Sequence, residues 1–258
     1  IGCNFDFNNK QYNRNMDEFI TENIRIIQER IDKACKANQR NPGEVKLLLA
    51  TKTVPAERIE IALRTGQTLI AENKVQELKD KFEYLKAIPH VNHFIGHLQT
   101  NKIKDILKYN VSCIHSIDRV DFAEKLHQRL LKENKTMEVL IQVNTSFEES
   151  KYGAAPEKVI DLVQQIATFS TLKIKGLMTI GLLSAEAEQV RACFKLLKHI
   201  QQQIIALAIP DVSMKELSMG MSGDLEIAIA EGATIVRVGT AIFGQRPTPD
   251  SYYWNENL

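Results

Sequence analysis

Apolar positions along the chain follow two alternating periods. Met16, Phe19, Ile20, Ile24, Ile27, Ile31, Ala34 and Cys35 recur at helical spacing, which predicts a long amphipathic helix ended by Asn41-Pro42-Gly43. A short, wholly apolar run at 47–50 follows, the pattern of a strand buried on both faces. Thr51 and Lys52 come directly after it. Pro55 then opens a helix with Ile59, Ala62 and Leu63 inward and Gly66 as its stop. The same unit recurs, with strands predicted at 68–71, 93–96, 111–117, 139–143, 174–180, 215–218 and 234–238, each followed by helical spacing. Asp118 is placed as the N-cap of one of these helices, and Pro156 opens another.

Eight strand–helix units in unbroken alternation predict a parallel sheet, and at 258 residues a closed (β/α)8 TIM barrel in preference to an open doubly wound sheet. No linker interrupts the alternation. The expectation is one domain over 16–246 with an extra N-terminal helix, a disordered tail over the Asn- and Asp-rich residues 1–15, and a C-terminal tail over 247–258 beyond the prolines. The chain starts with Ile1 rather than Met, as a trimmed or incomplete start would.

Composition narrows the partners. With 33 basic and 32 acidic residues the net charge is +1, so no global field is available to hold nucleic acid or a membrane surface. No apolar run reaches the length of a membrane span, and residues 1–15 lack the apolar stretch of a secretory signal. Cys3, Cys35, Cys113 and Cys193 are scattered, which argues against a disulfide framework and for a reducing, cytoplasmic setting. His93, His97 and His115 share no metal-ligand spacing, so hydrogen-bonding roles and no metal are expected for them.

In such a barrel, chemistry collects just past the C-terminal ends of the strands. That position holds Lys52, Asn73, Gly96 with His97, His115 with Ser116, Asn144, Met178 with Thr179, 218–222, and 237–240. A lysine ending a buried strand suits an amine that captures a carbonyl as a Schiff base, although alone it reads as a surface lysine. The loops Ser218-Met219-Gly220-Met221-Ser222-Gly223 and Gly239-Thr240 stand where these barrels commonly bind phosphate; either alone reads as a glycine turn with Ser222 as N-cap. Arg237, among valines, either enters the mouth or lies beneath a helix in an ion pair, and Asn73 either caps its helix or joins the site. An amine and a phosphate cup across one mouth define a ligand with a carbonyl at one end and a phosphate at the other. Pyridoxal 5′-phosphate fits, and so does a sugar phosphate in a Schiff-base aldolase.

The motifs Ala50-Thr51-Lys52-Thr53, Glu72-Asn73 with Val75-Gln76-Glu77, and His93-Phe94-Ile95-Gly96-His97-Leu98-Gln99-Thr100-Asn101-Lys102 are followed in order by Gln142-Val143-Asn144 and Gly176-Leu177-Met178. Leu217-Ser218-Met219-Gly220-Met221-Ser222 and Arg237-Val238-Gly239-Thr240-Ala241-Ile242-Phe243-Gly244 complete the set. Through them the chain resembles the pyridoxal phosphate homeostasis proteins, which share the barrel of the alanine racemase N-terminal domain. The resemblance implies that Lys52 forms the internal aldimine, that Ser222, Gly239 and Thr240, with Ser218, hold the phosphate, that Arg237 faces the pyridine nitrogen, and that Asn73 lies beside the ring. Ala71 and Lys74 depart from the family's usual glycine and aromatic residue, and Lys74 alters the pocket wall. The implied role is cytoplasmic pyridoxal phosphate homeostasis by a monomer without efficient catalysis, with pyridoxal-phosphate-dependent apo-enzymes as partners. The alternative is an amino-acid racemase-like enzyme of low activity; a racemase draws a second base, a tyrosine, from a further domain that is not expected in this chain.

Overall fold

The computed structural model describes residues 3–182 and 186–245. Its strands are β1 (Lys46–Ala50), β2 (Leu69–Glu72), β3 (Val91–Phe94), β4 (Val111–Ile117), β5 (Met137–Gln142), β6 (Leu172–Met178), β7 (Glu216–Ser218) and β8 (Ile235–Val238). Each pairs in parallel with the next and β8 returns to β1, so the sheet closes into a barrel in sequence order, as the alternation predicts. Helices α2 (Ala56–Arg64), α3 (Val75–Leu85), α4 (Ile103–Lys108), α5 (Val120–Glu133), α6 (Val159–Ala167), α7 (Ala187–Ala206), α8 (Leu225–Ala230) and α9 (Thr240–Phe243) lie outside it.

Alternation along the strands sorts their residues. Leu47, Leu49, Val236 and Val238 face the helices and belong to one continuous apolar annulus between sheet and helices. Leu48, Ala71 and Ile235 form a small cluster inside the barrel, and Cys113, Leu140 and Met178 form another. The lumen therefore holds only scattered apolar groups and leaves room for polar ones.

The N-terminal helix α1 (Cys3–Ala37) starts well ahead of Met16. Residues 3–15 thus continue a helix where the sequence predicts a disordered tail. Composition treats that stretch as if it had to nucleate alone, whereas extending an existing helix adds one hydrogen bond per residue fixed. Ile20, Ile24, Ile27 and Ile31 are buried against the barrel's helices, while Phe19 is exposed. Asn23 donates to the Ile242 carbonyl at 3.0 Å and Arg30 to the Ser222 carbonyl at 3.0 Å, so α1 braces the last two loops of the barrel.

The helix starts differ from expectation in two places. Arg119, not Asp118, is the N-cap of α5, because the Asp118 carboxylate pairs with the Arg119 guanidinium at 3.0 Å. Pro156 opens a 3-10 turn, Pro156–Lys158, ahead of α6. The C-terminal tail over 247–258, with its prolines and aromatic residues, lies outside the described residues. Among the described residues, no helix is long and apolar enough to cross a membrane.

Candidate functional site

A cavity at the C-terminal mouth of the barrel is lined by Lys52, Asn73, Gly96, His97, Met178 and Arg237 of the residues read from the sequence, joined by Lys74, Ile95, Tyr152, Ile180 and Met221. Six strand ends thus converge on one space.

Lys52 sits on a turn built with unusual care. Thr51 is fully buried, and its hydroxyl donates to a carboxylate oxygen of Glu72 at 2.6 Å. Lys81, on the inward face of α3, donates to the Thr51 carbonyl at 2.9 Å and pairs with Glu72 at 2.8 Å and Glu77 at 2.6 Å. The Thr53 N–H donates to Glu77 at 3.2 Å. Thr53 itself has φ 65, a left-handed conformation that a β-branched residue adopts only when its surroundings impose it. Burial raises the Glu72 carboxyl to about 7, against the pull of Lys81 and Thr51. This network, on the outer side of the sheet, clamps both flanks of Lys52.

Arg237 resolves the choice that its sequence left open: it points into the lumen. Its Nη1 donates to the Ser218 carbonyl at 2.7 Å and to the Ser218 hydroxyl at 2.9 Å, and its Nη2 to the Thr179 carbonyl at 2.8 Å. Burial lowers it to about 10, which leaves it protonated at neutral pH. Ser218 is thereby committed beneath Arg237, and its hydroxyl also meets His115 Nδ1 at 3.0 Å. The other expected phosphate ligands are Ser222, Gly239 and Thr240. Those do come together: the hydroxyls of Ser222 and Thr240 lie 3.4 Å apart, and the Ala241 N–H points at the Ser222 hydroxyl at 3.4 Å. Ser222 is not a helix cap; Asp224 is the N-cap of α8 and accepts from the Met221 N–H. Gly239 is buried against β1, where an added Cβ would lie 2.8 Å from the Ala50 carbonyl oxygen.

Asn73 does not cap α3, whose N-cap position is Lys74, and no side chain makes a capping bond there. Gly96 fixes its place, since a Cβ there would fall 1.9 Å from the Asn73 carbonyl oxygen. His97 stacks on Tyr152 with ring centroids 3.9 Å apart and an interplanar angle of 16°. This pair supplies an aromatic wall to the cavity that Lys74 also lines. Asn144 instead closes its own loop, donating to the Glu148 carbonyl at 2.9 Å. His115 lies below the mouth, fully buried, with its Nε2 at 2.8 Å from His93 Nδ1; burial holds both imidazoles below their usual range, His93 at about 4.

Tyr152 and Lys81 were not singled out from the sequence. Tyr152 lies in a polar loop without periodicity and gave no signal. Lys81 did give one: it stands between Leu78 and Leu85 on the inward stripe of its helix, a charged residue where only a paired one can be buried.

The cavity holds an amine and a fixed cation, and the hydroxyls and backbone N–H groups of Ser222 and 239–241 stand in the loops that follow its lining residues Met221 and Arg237. The bonds above use three of the five N–H groups of Arg237, so two stay available among the described residues to an acceptor in the cavity. Residues 18–247 match the family model of the alanine racemase N-terminal domain. A pyridoxal phosphate homeostasis protein of Aquifex aeolicus is 42% identical over 225 residues, covering 87% of this chain and 97% of the relative. One of Haemophilus influenzae is 38% identical over 231 residues, covering 88% and 96%. Among solved structures, PipY of Synechococcus elongatus with pyridoxal phosphate bound superposes with a TM-score of 0.72 at 32% identity, covering 84% of this chain and all of that one.

Proposed function

The chain belongs to the pyridoxal phosphate homeostasis protein family, and from that premise we propose that it holds pyridoxal 5′-phosphate at the barrel mouth, bonded to Lys52, and contributes to intracellular vitamin B6 homeostasis without efficient turnover of a substrate. The observation that carries this reading is the shared cavity of Lys52 and Arg237 beside the Ser222–Thr240 hydroxyl pair. The donor set fits each end of the cofactor: an amine for the aldehyde, hydroxyls and the N–H groups at Gly239, Thr240 and Ala241 for the phosphate, and Arg237 for the ring nitrogen. Asn73, His97 and Tyr152 would flank the ring. Bound cofactor supplies a capturable aldehyde and an electron-withdrawing ring.

Arg237 limits what that ring can do. As a protonated donor held by Ser218 and Thr179 it would oppose protonation of a pyridine nitrogen placed against it, the protonation on which strong electron withdrawal depends. No carboxylate lines the cavity among the described residues. The residues thus bind and orient more than they activate. In this reading the protein acts as a cytoplasmic monomer that yields its cofactor to apo-enzymes dependent on it. A second reading, a racemase-like enzyme of low activity, is favoured by Tyr152, which puts a phenol into the same cavity.

Purified protein loaded with pyridoxal phosphate should show a near-violet absorption band, bleached by borohydride with the label on Lys52 and absent from Lys52→Ala. A loaded protein without that label would overturn the reading. Amino acids added in deuterated water separate the two forms of it: slow α-proton exchange supports the carrier, and fast exchange abolished by Tyr152→Phe supports the enzyme.

A further inference from the structure

Below the mouth, and unused by the site just described, His93, Cys113 and His115 meet inside the barrel. Barrel closure sets them there: β3 and β4 pair with His93 opposite Cys113, and Cys113 and His115, two residues apart, share the inward face. One ligand atom from each lies within 4.8 Å of the others. Cys113 and His115 are buried, and Ser218 holds the far nitrogen of His115, the kind of outer contact that orients a ligating imidazole. His93 and Cys113 also line a cavity of about 750 Å³ at the lower end of the barrel, with Lys46, Glu138, Lys175 and Glu216 around it. An ion would have an entrance there, and room for a ligand from solvent.

We propose that His93, Cys113 and His115 form a binding site for a thiophilic d10 cation, copper(I) or zinc(II), entered from the lower end of the barrel. One thiolate and two neutral imidazoles select soft and borderline ions over calcium or magnesium. Charge favours the monovalent ion. Lys46 pairs with Glu216 at 2.5 Å and Lys175 with Glu138 at 3.1 Å, Lys215 adds a further positive charge to the lining, and Arg237 stands one hydroxyl away from His115, so the surroundings supply no negative charge to offset a divalent ion. Copper(I) with a thiolate leaves the buried site neutral; zinc(II) leaves it with a positive charge.

The geometry asks for side-chain adjustment: the Cys113 sulfur and the imidazole nitrogens, which lie within 4.8 Å of one another, close to the roughly 3.5 Å that bonds of about 2.3 and 2.0–2.1 Å to one tetrahedral ion require. Two nitrogens each about 2.0–2.1 Å from a tetrahedral ion stand about 3.3 Å apart. The His93–His115 contact of 2.8 Å therefore opens by about half an ångström, which side-chain rotation supplies. The S–H bond of Cys113 breaks as the metal–sulfur bond forms, and its proton leaves to solvent. The single proton between the rings moves to the far nitrogen of its own ring, either His115 Nδ1 against Ser218 or His93 Nε2. No oxidation state changes, and one proton is released per ion.

The test uses the reduced full chain under anaerobic conditions. Copper(I) is titrated against a chromophoric copper(I) chelator and zinc(II) against a zinc chromophore, for wild type, Cys113→Ser, His93→Gln and the control Cys35→Ser/Cys193→Ser. Circular dichroism follows the fold of each. The expected result is one ion per chain with one proton released, an affinity reduced by about 100-fold or more in Cys113→Ser and His93→Gln, and little change in the control. If Cys113→Ser fails to fold, His93→Gln decides alone. Binding of zinc(II) alone with the same pattern keeps the site and changes its ion. Binding that survives both ligand variants, that is lost in the control, or that neither ion shows overturns the proposal.

Discussion

Replacing Lys81 by methionine tests whether the network behind Lys52 holds the catalytic-looking turn in place. The ammonium touches the Thr51 carbonyl, Glu72 and Glu77, and Glu72 is almost fully buried with one carboxylate oxygen lacking a partner among the described residues. Removing the cation has a pH-dependent consequence. At pH 5 the Glu72 carboxyl, at about 7 in the fold against 4.5 when exposed, is protonated in both proteins. The variant then loses only the lysine's hydrogen bonds, about 1–3 kcal/mol. At pH 8 the wild type ionises Glu72 against Lys81, whereas the variant must keep it protonated or bury an unpaired charge. Each pH unit above the carboxyl's value adds about 1 kcal/mol, up to the 3–5 kcal/mol typical of a broken buried pair. Urea unfolding followed by circular dichroism at pH 5 and pH 8 measures both. Lys81→Met should be visibly worse at pH 8, and adding Glu72→Gln should restore most of the difference. An equal loss at both pH values, or a double variant no better than the single at pH 8, would refute the reasoning. In wild type the sign is fixed: a raised carboxyl contributes stability present below 4.5 and lost as pH rises through about 7.

Two further outcomes follow from the same geometry. Gly96→Ala should destabilise by about 3 kcal/mol or more, because its Cβ meets the backbone of Asn73 at 1.9 Å; Gly223→Ala, with nothing within 4 Å, should be neutral, and denaturation midpoints compare the pair. The buried His93–His115 pair acts with the opposite sign to Glu72. The depressed value of His93 gives stability present above 6.5 and lost as pH falls through about 4, by about 1 kcal/mol per pH unit, and burial pushes His115 in the same direction; His93→Gln should flatten that slope in urea titrations between pH 6.5 and 4.

The barrel was legible because its signal is local: each buried strand announces itself as an apolar run, and each helix by its stripe. Position after the strand then located Lys52, Asn73 and Arg237, and strand alternation narrowed Arg237 to two directions. Closure chose between them. What stayed hidden depends on contacts across strands or on loops without period. Tyr152 reaches the cavity from such a loop. His93, Cys113 and His115 have no telling spacing because register, not sequence distance, brings them together. Ser218, placed among the phosphate ligands, also takes a bond from Arg237 at its hydroxyl, a contact across strands that its place in a glycine-rich run does not announce.

The division between annulus and lumen sets where this chain can change. The continuous apolar layer lies between sheet and helices, and the interior holds two clusters of three buried residues each. Folding free energy therefore resides chiefly in the ring around the barrel, while the packed interior carries the guanidinium, the histidines and the thiol, with the amine at its mouth. A substitution inside the barrel alters chemistry with less loss of apolar burial; one in the ring does the reverse. Scanning substitutions along any single strand should alternate, residue by residue, between proteins that fail to accumulate and proteins that accumulate but no longer bind.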